Sequence, residues 1–416
     1  MVERLNVFAF DRFVGTLGYD DHVNAFEFKY DASYLSSPDA RELSQSLPLG
    51  DQPFDVLKSK AFFENLLPPE VVRRRLEKIV HISYGNVFGY LKALGGDCAG
   101  AVSLYEDGVV PSSVPERLKV LSEEEADELL KILPQRPLLI DKIEGYRISG
   151  AGAQDKLIAR WNGKAISLPL YGTASTHIIK PPMTRFPETV ANECFCQRLA
   201  AKVGLPAAES GILKVKSAPY YWTKRFDRIE TDEGVRRLHQ EDFCQMMGYF
   251  AEQKYEFEGG PSLVRCLRFL RTSRMGAAGM LRFLDYILFG YLIGNADAHG
   301  KNYAILYNGS RIEVAPQYDL MSTMAYPELA DQSAMRIGGA EAFSKVRRDN
   351  FRLMSEKSEI DARLVFSRLD DMSERIQTAA DELAEEMSDE GHPSPIYARI
   401  GEVIRGQVER VKGVNT

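Results

Sequence analysis

The stretch LRFLDYILFGYLI at 281–293 is apolar on nearly every face and runs without a break into the polar loop GNADAHGKN at 294–302. An all-round apolar segment is read as a helix buried on every side, so a large part of the chain must wrap around it. A polar loop that leaves the centre of a core, rather than the tip of a surface hairpin, is where reactive side chains are placed. Residues 303–307 read as a strand, Asn308-Gly309-Ser310 as a turn and 311–315 as the returning strand. The chain then folds back and brings Tyr318-Asp319-Leu320 beside the loop. Asp297, Asn302 and Asp319 are expected around one polar hollow.

The spacing Asp-x-x-x-x-Asn matches the loop in which a protein kinase sets its catalytic carboxylate and, five residues on, a magnesium-holding amide. Asp319 reads as the second metal carboxylate. Asp and Asn are common loop residues that bond their own backbone, so the motif alone says little. The buried helix in front of it carries the weight.

At 416 residues the chain is long enough for two or three domains, and its 44% hydrophobic and 27% charged residues are those of an ordinary globular protein. A net charge of −7 argues against this chain alone gripping nucleic acid. The basic clusters Arg73-Arg74-Arg75 and Lys345, Arg347 and Arg348 are read as solvated faces or partner contacts. No apolar run suffices to span a bilayer and MVERLNVFAF lacks a signal-peptide layout, so a cytoplasmic protein without membrane attachment is expected. Cys98, Cys194, Cys196, Cys244 and Cys266 are scattered and fit neither a zinc nor a disulfide framework.

Residues 1–105 read as a small separate module, with strands at 5–10 and 25–30 and a charged helix over 69–79. Residues 106–136 read as a linker followed by a short helix capped by Ser122. From 137 to 228 strands dominate: a hairpin around Asn162-Gly163, a strand at 176–180, a helix over 188–203 closed by Gly204, and a strand at 220–223. From 229 to 416 helices are expected over 240–249, 262–271, 277–293, 360–388 and 396–411. A sheet lobe followed by a helical lobe is the layout of a kinase.

Lys180 closes the strand at 176–180, and a lysine buried at a sheet end needs an anion to offset its desolvation. Nucleotide phosphates are one such anion. Glu193, on the following helix, is placed to pair with it as a helix glutamate pairs with the strand lysine in protein kinases. Upstream, Ser149-Gly150-Ala151-Gly152-Ala153-Gln154-Asp155-Lys156 is small and flexible and can bring backbone N–H groups close to phosphate oxygens, although it is neither GxGxxG nor a Walker loop.

Taken together these residues resemble the HipA family, the bacterial serine/threonine kinase toxins of type II toxin–antitoxin systems. The resemblance is carried by ISGAGAQDK at 148–156, STHIIKPP at 175–182, NECFCQRLAAKVGLP at 192–206, KRFDR at 224–228, RLHQEDFCQMMG at 237–248, KYEFEGGP at 254–261, the catalytic loop and PQYDL at 316–320. SSPDAREL at 36–43 and FFENLLPP at 62–69 extend it into the N-terminal module. It implies an α+β, protein-kinase-like two-lobed fold, with a sheet-rich N-lobe, a helical C-lobe and an added N-terminal α/β subdomain. ATP and magnesium are the implied cofactors, and a protein serine or threonine the acceptor.

Carried over residue by residue, the resemblance makes Asp297 the base and Asn302 and Asp319 the magnesium ligands. Lys180 and the loop residues Gly150, Gly152, Ala153 and Gln154 would hold the phosphates. The backbone of Lys224 to Phe226 would meet adenine, and Gln240, Glu241 and Asp242 would lie near the nucleoside. His299 would brace the loop and Lys301 would offset charge on the transferring phosphoryl group. Ser149 would be an autophosphorylation site, its phosphate expelling the loop and switching the enzyme off. Gly150 stands where many relatives carry a larger residue, and Lys224 often corresponds to an acid. The implied partners are a small DNA-binding antitoxin of the HipB kind, DNA through that antitoxin only, and a protein substrate such as an aminoacyl-tRNA synthetase. Two other readings share the catalytic loop: a small-molecule phosphotransferase, and a catalytically silent scaffold for a DNA-binding repressor.

Overall fold

The computed structural model describes residues 2–10, 12–23, 25–111, 116–140, 142–216 and 218–412. The N-terminal module is built on an antiparallel four-stranded sheet in the order Ala25–Tyr30, Arg12–Asp20, Val2–Ala9, Ser103–Tyr105. In Ala25–Tyr30 alternate residues Phe26, Phe28 and Tyr30 are buried, the period-two signature of a half-buried strand. Arg12–Asp20 was not foreseen, because Gly15 and Gly18 dilute its alternation. Helices Val56–Phe63, Glu70–Val80 and Val87–Leu94 complete a core of its own.

The second unit carries an antiparallel six-stranded sheet in the order Arg117–Val120, Ile166–Leu170, Leu157–Trp161, His177–Lys180, Ala218–Lys224, Ser210–Val215. Its edge strand Arg117–Val120 lies inside the stretch read from sequence as linker. All four of its residues are exposed, so it carries no hydrophobic alternation to betray it. Ser122 caps the helix Glu123–Ile132 through a capping box with Glu125. Thr189–Lys202, buried on almost every side, packs against the strands Ser210–Val215 and Ala218–Lys224.

The helical lobe wraps Gly276–Leu292 with Leu263–Thr272, Arg348–Ser358, Ala362–Asp389 and Ile396–Val411. The helix expected over 240–249 is a strand followed by a shorter helix. His239–Asp242 pairs with Ala304–Asn308, which returns through Arg311–Val314, and only Phe243–Met247 is helical. A capping box between Asp242 and Gln245 starts the helix there, and backbone pairing to the hairpin claims the residues before it. Arg348–Ser358 escaped notice because Phe351 and Met354 are the large apolar residues it buries in an otherwise polar stretch. Among the described residues no helix is long and apolar enough to cross a membrane.

The N-terminal module is joined to the rest by buried polar contacts. Asp97 receives the guanidinium groups of Arg225 at 3.2 Å, Arg228 at 2.8 Å and Arg237 at 3.2 Å. Glu241 accepts from the Ser44 hydroxyl at 2.5 Å, and His239 Nε2 meets the Leu43 carbonyl at 2.7 Å.

Candidate active site

The loop after Gly276–Leu292 is held in place at its backbone. Ala296 N–H donates to Thr323 Oγ1 at 2.9 Å, Ala334 N–H to the Ala296 carbonyl at 2.9 Å, and Gly300 N–H to the Lys254 carbonyl at 3.0 Å. The hairpin then returns the chain to Asp319, whose φ of +56° turns the backbone sharply there. Asn302 Nδ2 donates to Asp319 Oδ2 at 3.0 Å, and the Lys180 ammonium donates to Asp319 Oδ1 at 2.7 Å and to Glu193 Oε1 at 2.5 Å. One line of contacts thus runs from the catalytic loop through Asp319 to the sheet lobe and its helix.

Charges along this line hold each other. Lys180 beside it keeps the Asp319 carboxyl well below the usual carboxylate range, against the opposing pull of burial. Burial alone would lower Lys180, but Asp319 and Glu193 outweigh it and keep the ammonium protonated. Burial pushes Glu193 up to about 7, with Lys180 opposing. Asn302 Oδ1 is buried and has no hydrogen-bond partner, while the Asp319 side chain is 49% exposed. An orphaned amide oxygen beside an accessible carboxylate is a donor set of hard oxygens, and it fits a magnesium ion.

Asp297 is exposed, and its Oδ1 accepts from the Tyr255 hydroxyl at 2.8 Å. Its carboxyl is raised above the ordinary value by desolvation, with Tyr255 and Lys254 pulling it down. His299 is buried, and Nε2 lies 3.0 Å from the Lys254 ammonium. Burial, then the neighbouring ammonium, keeps the imidazole neutral, so its Nε2 is the acceptor. The ring thus ties the loop to the segment at Lys254 and Tyr255.

In the glycine loop, Gly150 has φ +53°, and a Cβ there would fall 2.4 Å from Leu138 Cδ2; a larger residue needs a different loop path. Gly152, at φ +101°, sits over Lys156, whose ammonium donates to the Ala151 carbonyl at 2.5 Å. Ala153 is exposed, and Gln154 Nε2 reaches the Pro181 carbonyl at 3.5 Å. Ser149 is buried, its N–H directed to the Asp97 carbonyl at 3.3 Å. Lys156 was given no role from sequence. It is buried, and desolvation followed by repulsion from Lys180 lowers it to about 8, against the pull of Asp319 and Glu193. Lys156 directly precedes the strand Leu157–Trp161, and a lysine at a strand end, like Lys180, is the signal that marks it in the sequence.

Other expected residues lie differently. The Lys301 ammonium donates to the Asn65 carbonyl at 3.1 Å, to Asn65 Oδ1 at 2.6 Å and to Asp242 Oδ2 at 2.6 Å. An ammonium has three donors and all are used, so Lys301 is a strut to the N-terminal module rather than a charge facing the hollow. This corrects the expectation. Asp242 is correspondingly a helix cap and the partner of Lys301, not a group free to meet a nucleoside. Gln240 donates to Asp227 Oδ2 at 3.2 Å, and Lys224 pairs with Glu230 at 3.0 Å. Phe226 packs against Tyr318 with ring centroids 5.4 Å apart, which places the 224–226 backbone beside the Asp319 turn.

Residues 5–105 match the HipA N-terminal domain and residues 148–389 the HipA-like C-terminal domain. A putative kinase, Y4mE, from Sinorhizobium fredii is 38% identical over 397 residues, spanning 93% of each chain. The serine/threonine-protein kinase toxin HipA of Shewanella oneidensis is 31% identical over 342 residues, covering 79% of this chain and 77% of that one. Among solved structures, the Shewanella oneidensis HipA in complex with HipB and operator DNA superimposes with a TM-score of 0.85 at 27% identity, covering 98% of this chain and 97% of its counterpart. With both domains matched in order along the chain and the two-lobed fold shared, this protein belongs to the HipA family.

Proposed function

We propose that this chain is an ATP- and magnesium-dependent serine/threonine protein kinase, the toxin of a toxin–antitoxin pair, silenced by phosphorylation of Ser149. The observation that carries the reading is the line Asn302–Asp319–Lys180–Glu193, with an unpaired Asn302 oxygen at one end and the exposed Asp297 carboxylate on the same loop. Asn302 and Asp319 would hold the ion, which supplies charge neutralisation on the nucleotide phosphates when bound. Lys180 stays charged and pre-aligned between two carboxylates, ready to meet phosphate oxygens. Asp297, its carboxyl made more basic by desolvation, accepts the acceptor hydroxyl's proton.

Ser149 opens the glycine loop and is buried against the Asp97 backbone. Its phosphorylation requires the loop to leave that seat, and a phosphate carrying about −1.5 to −2 charge has no room to return. Gly150, Gly152, Ala153 and Gln154 would leave their places with Ser149, so nucleotide binding would be lost. A solved relative is a complex with HipB and operator DNA, and this chain's net charge of −7 suits a partner that brings the DNA-binding charge. We assign it a small DNA-binding antitoxin on that basis, and a protein acceptor, with aminoacyl-tRNA synthetases the first to try.

The test is transfer of labelled phosphate from ATP with magnesium, alone and with cell extract, for wild type and Asp297→Asn. Wild type should label itself and an extract protein, and the variant should fold and bind ATP yet transfer at least about 100-fold more slowly. Undiminished transfer by the variant sinks the assignment of the base. Label found only in a small molecule would establish the phosphotransferase reading instead.

A further inference from the structure

Correcting Lys301 leaves the phosphoryl group without the cation assigned to it, and the structure offers another. The segment around Lys254 and Tyr255 is pinned to the catalytic loop by the bond from Gly300 N–H to the Lys254 carbonyl. From there the Tyr255 hydroxyl reaches Asp297 Oδ1 at 2.8 Å, and the Lys254 ammonium lies 3.0 Å from His299 Nε2. The same ammonium sits over the Tyr255 ring, 4.7 Å from its centroid, and the ring meets His299 edge-on at 5.2 Å. Lys254 is half-buried and interacts electrostatically with both Asp297 and Asp319. A cation held on His299 and within electrostatic reach of both the base and the metal carboxylate, in a partly dry site, can stabilise negative charge on equatorial phosphoryl oxygens.

Resting on the kinase reading above, we propose that Lys254 supplies the positive charge for the transferring phosphoryl group, and that Tyr255 is the positioning residue of the base. Tyr255 occupies Asp297 Oδ1 and leaves Oδ2 for the acceptor. In the step, the acceptor hydroxyl gives its proton to Asp297 Oδ2, its oxygen bonds to the γ-phosphorus, and the bond to the β–γ bridging oxygen breaks with its electron pair leaving on ADP. Lys254 takes no part in the proton transfer. A purely structural Lys–His–Tyr cluster would hold the loop without moving the rate of a folded enzyme.

The experiment uses the full chain and compares kcat, the KM for ATP, direct ATP binding and the unfolding midpoint. Lys254→Ala should lower kcat at least about 100-fold with ATP affinity within about threefold, and Lys254→Arg should recover about tenfold of that. Should the alanine variant fail to fold, Lys254→Arg against Lys254→Gln carries the same comparison. The groups facing Asp297 are Tyr255, Lys254, Asp319 and His299, and removing the hydroxyl that lowers its carboxyl moves that carboxyl up. Tyr255→Phe should therefore shift the acid limb of the kcat profile to higher pH and lower kcat about tenfold. Wild-type kcat in the alanine or glutamine variant, a change confined to KM, or an unmoved acid limb in Tyr255→Phe overturns the proposal. Absence of transfer by wild type is a different outcome: it defeats the kinase reading and this inference with it.

Discussion

Asp319 shows what a single residue contributes beyond its chemistry. A non-glycine residue at φ +56° is costly, and such strain persists where surroundings hold it. Here Lys180 and Asn302 hold it, one at each carboxylate oxygen. The residue type was legible in the sequence, as were Asp297, Asn302, Lys180 and the partnership with Glu193, because each is a charged or amide group where an apolar pattern ends. The contacts of Lys156, Lys254 and Tyr255 were not, since a lysine or tyrosine in a polar stretch reads the same whether it faces solvent or another side chain. Ser149 gives a prediction at this scale. Its hydroxyl is buried beside the Cys98 thiol and has no oxygen or nitrogen partner, so Ser149→Ala removes no hydrogen bond of consequence. Self-phosphorylation should disappear from the loop on mass mapping while stability stays within about 1 kcal/mol in urea titration. Phosphate mapped elsewhere in wild type would end the switch mechanism.

At the scale of elements, long periodic segments were readable and short paired ones were not. The buried helix Gly276–Leu292 and the hairpin Ala304–Asn308 with Arg311–Val314 follow from pattern and turn residues. His239–Asp242 looked helical because Gln240, Glu241 and Asp242 lead into a helical run, and only the hairpin's free edge made them a strand. The turn after Tyr255 carries the site's second half. It closes at Gly260, where an added Cβ would lie 2.0 Å from the Gln253 carbonyl oxygen and 2.8 Å from that of Tyr255. Both obstacles are backbone, so the turn itself must move. Gly260→Ala should cost about 1–3 kcal/mol in chemical denaturation and displace Lys254 and Tyr255, lowering kcat more than ATP affinity. Unchanged stability and rate would show that the turn can relax without reaching the base.

At the scale of the whole molecule the N-terminal module is fastened to both lobes. Asp97 is buried among Arg225, Arg228 and Arg237, which outweigh the burial that would raise it and hold its carboxyl below the usual range. Asp97→Ala would leave Arg225 and Arg228 with Asp227 as their remaining carboxylate and would take from Arg237 the carboxylate it meets, and it should cost about 3–5 kcal/mol in urea unfolding. The pH dependence has a definite sign: the folded carboxyl is depressed, so its contribution is present above the unfolded value of about 3.9 and is lost as pH falls below it. The variant should lack that share of the acid-limb slope, and an equal slope in both proteins would place the stabilisation elsewhere.

The sequence by itself determined the succession of sheet lobe and helical lobe, the buried helix before the polar loop, and the residues Asp297, Asn302, Asp319 and Lys180 that the proposed reading makes base, metal pair and phosphate lysine. These are local properties, written in apolar period, turn chemistry and spacing. The tertiary structure alone decided that Lys301 is a strut to Asn65 and Asp242, that Tyr255 meets Asp297 and Lys254 meets His299, and that Asp97 anchors Arg225, Arg228 and Arg237. Which carboxylate a long cation meets depends on distances between segments far apart in the chain, and those distances exist only once the core has packed.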